Sequence, residues 1–248
     1  MFLKKIRLVI VLDMTIKFLD WDSKFFGLRI GRVDVPSSED LSALSEDEQN
    51  LHRQFDLLYV FCPQSVHWGQ PNAILVDEKI VYSKSVFPQS SCSLVDIYGD
   101  VAPNDALYRL ALLSGEYSRY RLDSRFPHNS YERLYRCWIE QSVVGNMADK
   151  VFVYQVDNHI DGMLTLQRNE EEAGIGLVAV DTEVQGRGIG SKMIQIVETY
   201  LAQNTSVRTL RVATQWKNTK ARCLYEKNGF ILNSVTKVYH WWLHNPKC

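Results

Sequence analysis

The chain has 248 residues, 46% of them apolar and 23% charged, which suffices for one large core or two small ones. Its 28 basic and 29 acidic residues nearly cancel and form no long basic block, which argues against nucleic acid as a bulk electrostatic partner. The five cysteines, Cys62, Cys92, Cys137, Cys223 and Cys248, are scattered and in no metal-ligand spacing, so they read as reduced cytosolic thiols and no metal is expected.

At the start, Lys4, Lys5 and Arg7 precede the apolar run Leu8 to Leu12. That run is shorter than a signal-peptide core, Asp13 ends it, and no small-residue cleavage site follows. Nothing later is long and apolar enough to span a bilayer, so a cytoplasmic protein without membrane insertion is expected. Because Met14 precedes the better-patterned Thr15 to Trp21, residues 1–13 read as an extension from an upstream start. Trp21, Phe25 and Phe26 read as core anchors, with Gly27 as a turn. Gly31 to Val35 predicts a strand, Glu39 to Gln54 an amphipathic helix, Asp56 to Cys62 a buried strand and Lys79 to Val86 another. The turn-rich Pro88-Gln89-Ser90-Ser91 marks a boundary between an N-terminal α/β domain, residues 1–92, and a second domain, residues 93–248.

In the second domain, Pro103-Asn104-Asp105 starts a helix to about Glu116, and Asn129-Ser130 caps another through Ser142. Between them Arg119, Arg121 and Arg125 interleave with Tyr120 and Phe126, a set able to pair with a diphosphate while a ring packs on a base or sugar. A solvated loop neutralised by Asp123 and Glu132 is an equal alternative. Strands Lys150 to Val156 and His159 to Gln167 flank the turn Asp157-Asn158. A strand, Ile175 to Val180, a glycine-rich turn and a helix, Ser191 to Gln203, come next. The strand Arg208 to Ala213, the helix Thr219 to Asn228 capped by Gly229, and short strands Phe230 to Asn233 and Lys237 to Trp242 end the chain. His240 and His244 have no partner at metal or triad spacing and read as structural.

The turn Gln185-Gly186-Arg187-Gly188-Ile189-Gly190 carries the chemistry. Its glycines let the backbone approach an anion closely, and the following helix presents its positive dipole end, so the expected ligand is phosphorylated. No Lys-Ser or Lys-Thr follows at Walker spacing, and the dinucleotide spacing G-x-G-x-x-G is absent. What remains, Val180 to Gly190, resembles the pyrophosphate-binding loop of the GCN5-related N-acetyltransferases (GNAT), with Thr182 where proline is common. The run from Leu210 to Gln215, followed by Asn218 to Phe230, resembles the ending Asn-x-x-Ala-x-x-x-Tyr-x-x-x-Gly-Phe of the same family.

The resemblance implies a mixed central sheet of GNAT type with helices on both faces, splayed between the Gly-loop strand and the Arg208 to Ala213 strand, with acetyl-CoA in the cleft. It assigns cofactor contacts to the main chain of Leu177, Val178, Ala179 and Val180, to Gln185, Gly186, Arg187, Gly188, Ile189, Gly190 and Ser191, and to Asn218. Tyr225 would be the general acid that protonates the leaving thiolate, and Glu171, Glu172, Asp181 or a water chain would deprotonate the amine. Leu19 to Gly27, Tyr117 to Arg121 and Tyr135 to Val143 further resemble the branch that acetylates the 4-amino group of dTDP-4-amino-4,6-dideoxygalactose, a surface-polysaccharide precursor. Leu224 departs from the basic residue of that branch, and residues between Pro36 and Pro88 match it poorly. The implied partner is a nucleotide sugar bound by Arg119, Tyr120, Arg121 and Arg125, with a homodimer left open. Acetylation of another amine, such as a protein N-terminus, polyamine or metabolite, and a non-catalytic acyl-CoA-binding module are the other readings.

Overall fold

A computed structural model describes residues 8–11, 14–87, 94–204 and 206–244. Along them run β1 (Leu8–Val11), β2 (Met14–Phe18), α1 (Asp20–Phe26), β3 (Ile30–Asp34), α2 (Ser38–Glu46), α3 (Glu48–Gln54), β4 (Leu57–Pro63), β5 (Ala73–Ser85), β6 (Val95–Ile97), α4 (Asp105–Ser114), α5 (Arg119–Leu122), α6 (Ser130–Val143), β7 (Lys150–Val156), β8 (His159–Arg168), β9 (Glu172–Val180), α7 (Ile189–Asn204), β10 (Thr209–Gln215), α8 (Thr219–Lys227) and β11 (Ile231–Trp242). The expected mixed α/β class is the one observed. No helix among the described residues is long and apolar enough to cross a membrane.

The chain forms two compact units, one from residues 1–79, 122–128 and 235–248, the other from residues 80–121 and 129–234. The chain passes between them inside β5, inside α5, between His128 and Asn129, and inside β11. The turn Pro88 to Ser91, where the sequence placed a boundary, lies outside the described residues, as do Cys92 and Cys248.

In the first unit the strand order is β1-β2-β3-β4-β11, antiparallel except for β3 beside β4. Residues 8–11 of the expected extension pair with β2, from Leu8↔Lys17 to Val11↔Met14. The run Leu57 to Phe61 is buried on both faces, and Ile16, Val33, Leu44, Phe55 and Trp241 fill the core. The expected helix Glu39 to Gln54 is two helices, because Asp47 ends α2 and starts α3. The two short strands expected after Phe230 are one, β11. Of the expected aromatic anchors, Phe26 is buried, but Trp21 is 47% exposed and stacks on Phe25 at 5.0 Å. Gly27 does turn the chain, with φ +70°.

In the second unit the strand order is β5-β10-β9-β8-β7-β6, with β9 and β10 parallel. The β7–β8 hairpin turns through Asp157 and Asn158, both at positive φ (47° and 64°), as its two-residue loop requires. The α7 side chains Met193, Ile194, Val197 and Leu201, at helical spacing, pack into a core with Leu164, Leu166, Ile175, Leu210 and Val212. Asn104 caps α4 by accepting from Leu107 N–H. Asn129 does not cap α6; it sits at φ 58°, and its side chain makes no cap bond.

His240 belongs to a buried charged cluster in the first unit. Asp123, 2% exposed, has Oδ2 within 2.8 Å of both His240 Nδ1 and Trp242 Nε1, and its Oδ1 accepts from Arg125 Nε at 3.0 Å. Burial alone would raise the Asp123 pKa; the bonds from His240, Arg125 and Trp242 outweigh it and hold the carboxyl well below the usual range. A depressed folded pKa contributes stability that is complete above the unfolded value near pH 4 and is lost as the pH falls through the folded pKa. Asp123→Asn should therefore destabilise the fold by about 3 kcal/mol or more at neutral pH. Its thermal midpoint should also fall less steeply below pH 4 than that of the parent protein, as thermal melts across that range would show.

Candidate active site

The site begins where two strands part. Pairing of β9 with β10 runs from Glu172↔Thr209 to Ile175↔Val212 and stops, although β9 continues to Val180 and β10 to Gln215. On its other edge β9 stays paired to β8 as far as Val180↔Gly162, with a bulge between Leu164 and Leu166. A side chain fills that bulge: Thr165 Oγ1 accepts from Leu177 N–H at 2.7 Å. Gly176 makes room for it, since a Cβ there would lie 2.8 Å from the same oxygen.

Beyond the bulge, Asp181 N–H donates to Asp161 O at 2.7 Å. Main-chain groups alternate in direction along a strand, so Leu177, Ala179 and Asp181 turn theirs to β8. Val178 and Val180 turn theirs to the side that β10 has left. Of the four strand residues expected to contact a cofactor through their backbone, the geometry favours these two. Val180 O is met by Gln185 Nε2 at 3.0 Å, and Gln185 Oε1 accepts from Lys220 Nζ at 3.0 Å, so Gln185 ties the strand end to α8.

In the loop, Gly186 and Gly188 have φ of 81° and 78°, and a Cβ at either would meet nothing within 4 Å. The backbone is thus open to an approaching ligand at two positions that only glycine adopts freely. Arg187 is exposed between them, Ile189 is buried, and Gly190 packs against Leu224 with only 3.0 Å for a Cβ. The first N–H groups of α7 have no intrahelical acceptor and carry the positive end of a 16-residue dipole. An open backbone at a helix N-terminus is the arrangement that a diphosphate requires.

Asn218 and Tyr225 lie on α8. Asn218 caps the helix, with Oδ1 accepting from Ala221 N–H at 3.1 Å, so its expected cofactor contact would fall to the remainder of the amide. Tyr225 is 2% exposed, and its ring lies 6.0 Å from that of Tyr82 and 5.6 Å from that of Phe230. Burial pushes the phenol pKa up, so the hydroxyl keeps its proton at neutral pH. Ser191 Oγ, in the first turn of α7, accepts from Asn228 Nδ2 at 2.9 Å.

The remaining candidates are dispersed. Glu171 and Glu172 stand at the start of β9, a strand length or roughly 26 Å from Val180, and Glu172 pairs with Arg211 at 2.6 Å. The Asp181 carboxylate pairs with Arg109 at 2.8 Å and accepts from Glu183 N–H. Arg119 Nη2 donates to Tyr120 Oη at 2.8 Å, and Tyr120 packs edge-on against Trp138. Arg121 lies over the Tyr131 ring at 5.7 Å. Arg125 belongs to the first unit and is spent on Asp123 and on Asn72 O at 3.1 Å. Thr165, Lys220 and Asn228 were not singled out from sequence. Only Asn228, directly before Gly229, carried a signal, that of a helix end.

Residues 148–232 match the model of the acetyltransferase (GNAT) domain. The dTDP-fucosamine acetyltransferase of Escherichia coli O6:H1 is 33% identical over 141 residues, 56% of this chain and 58% of that protein's length. The spore coat polysaccharide biosynthesis protein SpsD of Bacillus subtilis is 26% identical over 239 residues, 90% of this chain and 81% of its own. A conserved protein of unknown function from Staphylococcus epidermidis shares the fold with a TM-score of 0.63 at 15% identity, covering 96% of this chain and 94% of its own. A GCN5-related N-acetyltransferase from Kribbella flavida does so at 0.58 and 10% identity, covering 98% and 90%.

Replacing Gly188 by valine tests the loop. Nothing folded is displaced, and the positive φ costs about 1–3 kcal/mol, while the side chain occupies the ligand's approach. The expected result is a melting point lowered by a few degrees and coenzyme A affinity reduced at least tenfold by calorimetry.

Proposed function

We propose that this protein is an acetyl-CoA-dependent N-acetyltransferase acting on the amino group of a nucleotide-linked amino sugar, of the dTDP-4-amino-4,6-dideoxygalactose type. The observation that carries the reaction is the parting of β9 from β10 beside the two open glycines, with Tyr225 on the helix that follows β10. The nucleotide-sugar assignment rests on the names of the two curated relatives, one a dTDP-fucosamine acetyltransferase and the other a polysaccharide biosynthesis protein.

In this reading the main chain of Gln185 to Gly190 and the start of α7 hold the pyrophosphate, and acetyl-CoA supplies the activated acetyl group as a thioester. The N–H groups of Val178 and Val180 stabilise the carbonyl oxygen as charge develops on it. The amine must arrive neutral, and Asp181 is poorly placed to deprotonate it because Arg109 already pairs with its carboxylate. Water relays the proton instead. Tyr225 donates its proton toward the departing sulfur; a hydroxyl kept neutral by burial remains available as a donor across the working pH range.

Purified protein, acetyl-CoA and a panel of dTDP- and UDP-linked 3-amino and 4-amino sugars, followed by thiol release and product mass, test the assignment. Acetylation of the dTDP-4-amino-4,6-dideoxygalactose compound is the expected result. Acetylation of another amine alone would move the substrate, and coenzyme A binding without any transfer would leave a binding module.

Tyr225→Phe should lower kcat by about 10²-fold or more while the dissociation constant for coenzyme A changes little; an unchanged kcat would remove the acid role. Because the folded pKa of Tyr225 is raised, the proton is lost only above the usual tyrosine value near 10. A pH profile of kcat should therefore show no fall attributable to this group up to about pH 10.

A further inference from the structure

We infer that Tyr82 and Lys84, on β5, are positioning residues that clamp the last turn of α8 and so fix the orientation of the Tyr225 phenol; this rests on the catalytic role proposed for Tyr225. Both lie in the second unit, more than sixty residues before the start of the matched acetyltransferase segment at residue 148. They alternate with Ser83 on the strand and therefore share one face.

On that face Tyr82 Oη donates to Glu226 Oε1 at 2.6 Å, and Lys84 Nζ donates to Asn228 O at 2.7 Å. The two bonds bracket the turn that follows Tyr225, one residue and three residues on. Burial, and then the Glu226 carboxylate, push the Tyr82 hydroxyl pKa up, which keeps it a donor. Lys84 is itself anchored: its ammonium lies 2.7 Å from the Glu198 carboxylate, which is 1% exposed on α7. It also lies 5.6 Å over the Phe230 ring, the same ring that packs on Tyr225.

The contact continues to the cofactor loop. The residue whose carbonyl Lys84 binds, Asn228, sends its side-chain amide to Ser191 Oγ at 2.9 Å and to Leu224 O at 2.7 Å. Ser191 follows Gly190 directly. A continuous path, Glu198 to Lys84 to Asn228 to Ser191, thus joins the middle of α7, the end of α8 and the helix start that receives the diphosphate.

A buried ion pair is a weak stabiliser, since well-packed apolar groups often replace it at no loss. Its directional bonds are what apolar groups cannot reproduce. The ammonium also meets the Asn228 carbonyl at the C-terminus of α8, where a cation is favoured. What the pair contributes here is a fixed orientation for the end of α8.

The test compares the parent protein with Tyr82→Phe, the charge-balanced double variant Lys84→Met/Glu198→Met, and Lys84→Arg. Steady-state kinetics use the best acceptor, and amide hydrogen exchange is followed across residues 219–230 and across β8. We expect kcat to fall roughly threefold to tenfold in Tyr82→Phe and at least tenfold in the double variant, with KM for acetyl-CoA within threefold. Exchange should accelerate at least tenfold at Asn228, Gly229 and Phe230 but not in β8, and Lys84→Arg should recover most of both. Unchanged kcat and exchange in folded variants, or acceleration spread evenly over the unit, would overturn the inference. Should the double variant not fold, Tyr82→Phe decides by the same criteria. If the parent protein acetylates no amine, the proposed reaction fails on that result alone, and the exchange measurements still decide whether the clamp exists.

Discussion

An extended strand presents hydrogen-bonding groups along both edges, and each must find a partner in protein, water or ligand. The second unit is organised around a place where this requirement is left open. After Ile175↔Val212 the strands β9 and β10 separate, and Val178 and Val180 face a gap. The separation is sustained from the other side. The Thr165 hydroxyl takes the Leu177 N–H in place of a ladder bond, Asp161 takes that of Asp181, and Gln185 closes on Val180 O. With β9 held along β8, its free edge keeps its direction without β10.

Charge is placed sparingly inside both units. Asp123 in the first unit and Glu198 in the second are nearly inaccessible carboxylates, each matched by a basic side chain from a strand or segment distant in sequence or by several convergent donors. Such groups are costly to desolvate, and they tolerate few alternative arrangements of their neighbours. They define direction where Leu and Ile would define only proximity.

Much of this was legible in the sequence, and the reasons for success and failure are physical. The Gly-loop, the α7 periodicity and the Asp157-Asn158 hairpin are local signals, in which the residues that bend the chain are the ones that adopt positive φ. The break at Asp47, the fusion of two short strands into β11 and the exposure of Trp21 depend on what packs against each segment, which no window of residues contains. The division of Arg119 and Arg121 from Arg125 between the two units has the same origin. Arg125 found Asp123, two residues away, and Arg119 found the adjacent Tyr120. Thr165 was invisible because a bulge is a property of two strands in register, and Lys84 because its partners lie 114 and 144 residues further along the chain.

The path of β11 bears on how the protein is made. The first unit opens the chain, yet its sheet is completed by residues 235–242, which pair with β4 from Pro63↔Thr236 to Leu57↔Trp242 and place Tyr239 and Trp241 in its core. A ribosome would release the whole second unit before it supplied that strand. The segment synthesised first is thus the last able to close, and its buried run Leu57 to Phe61 must wait, half covered, for nearly the entire chain to emerge.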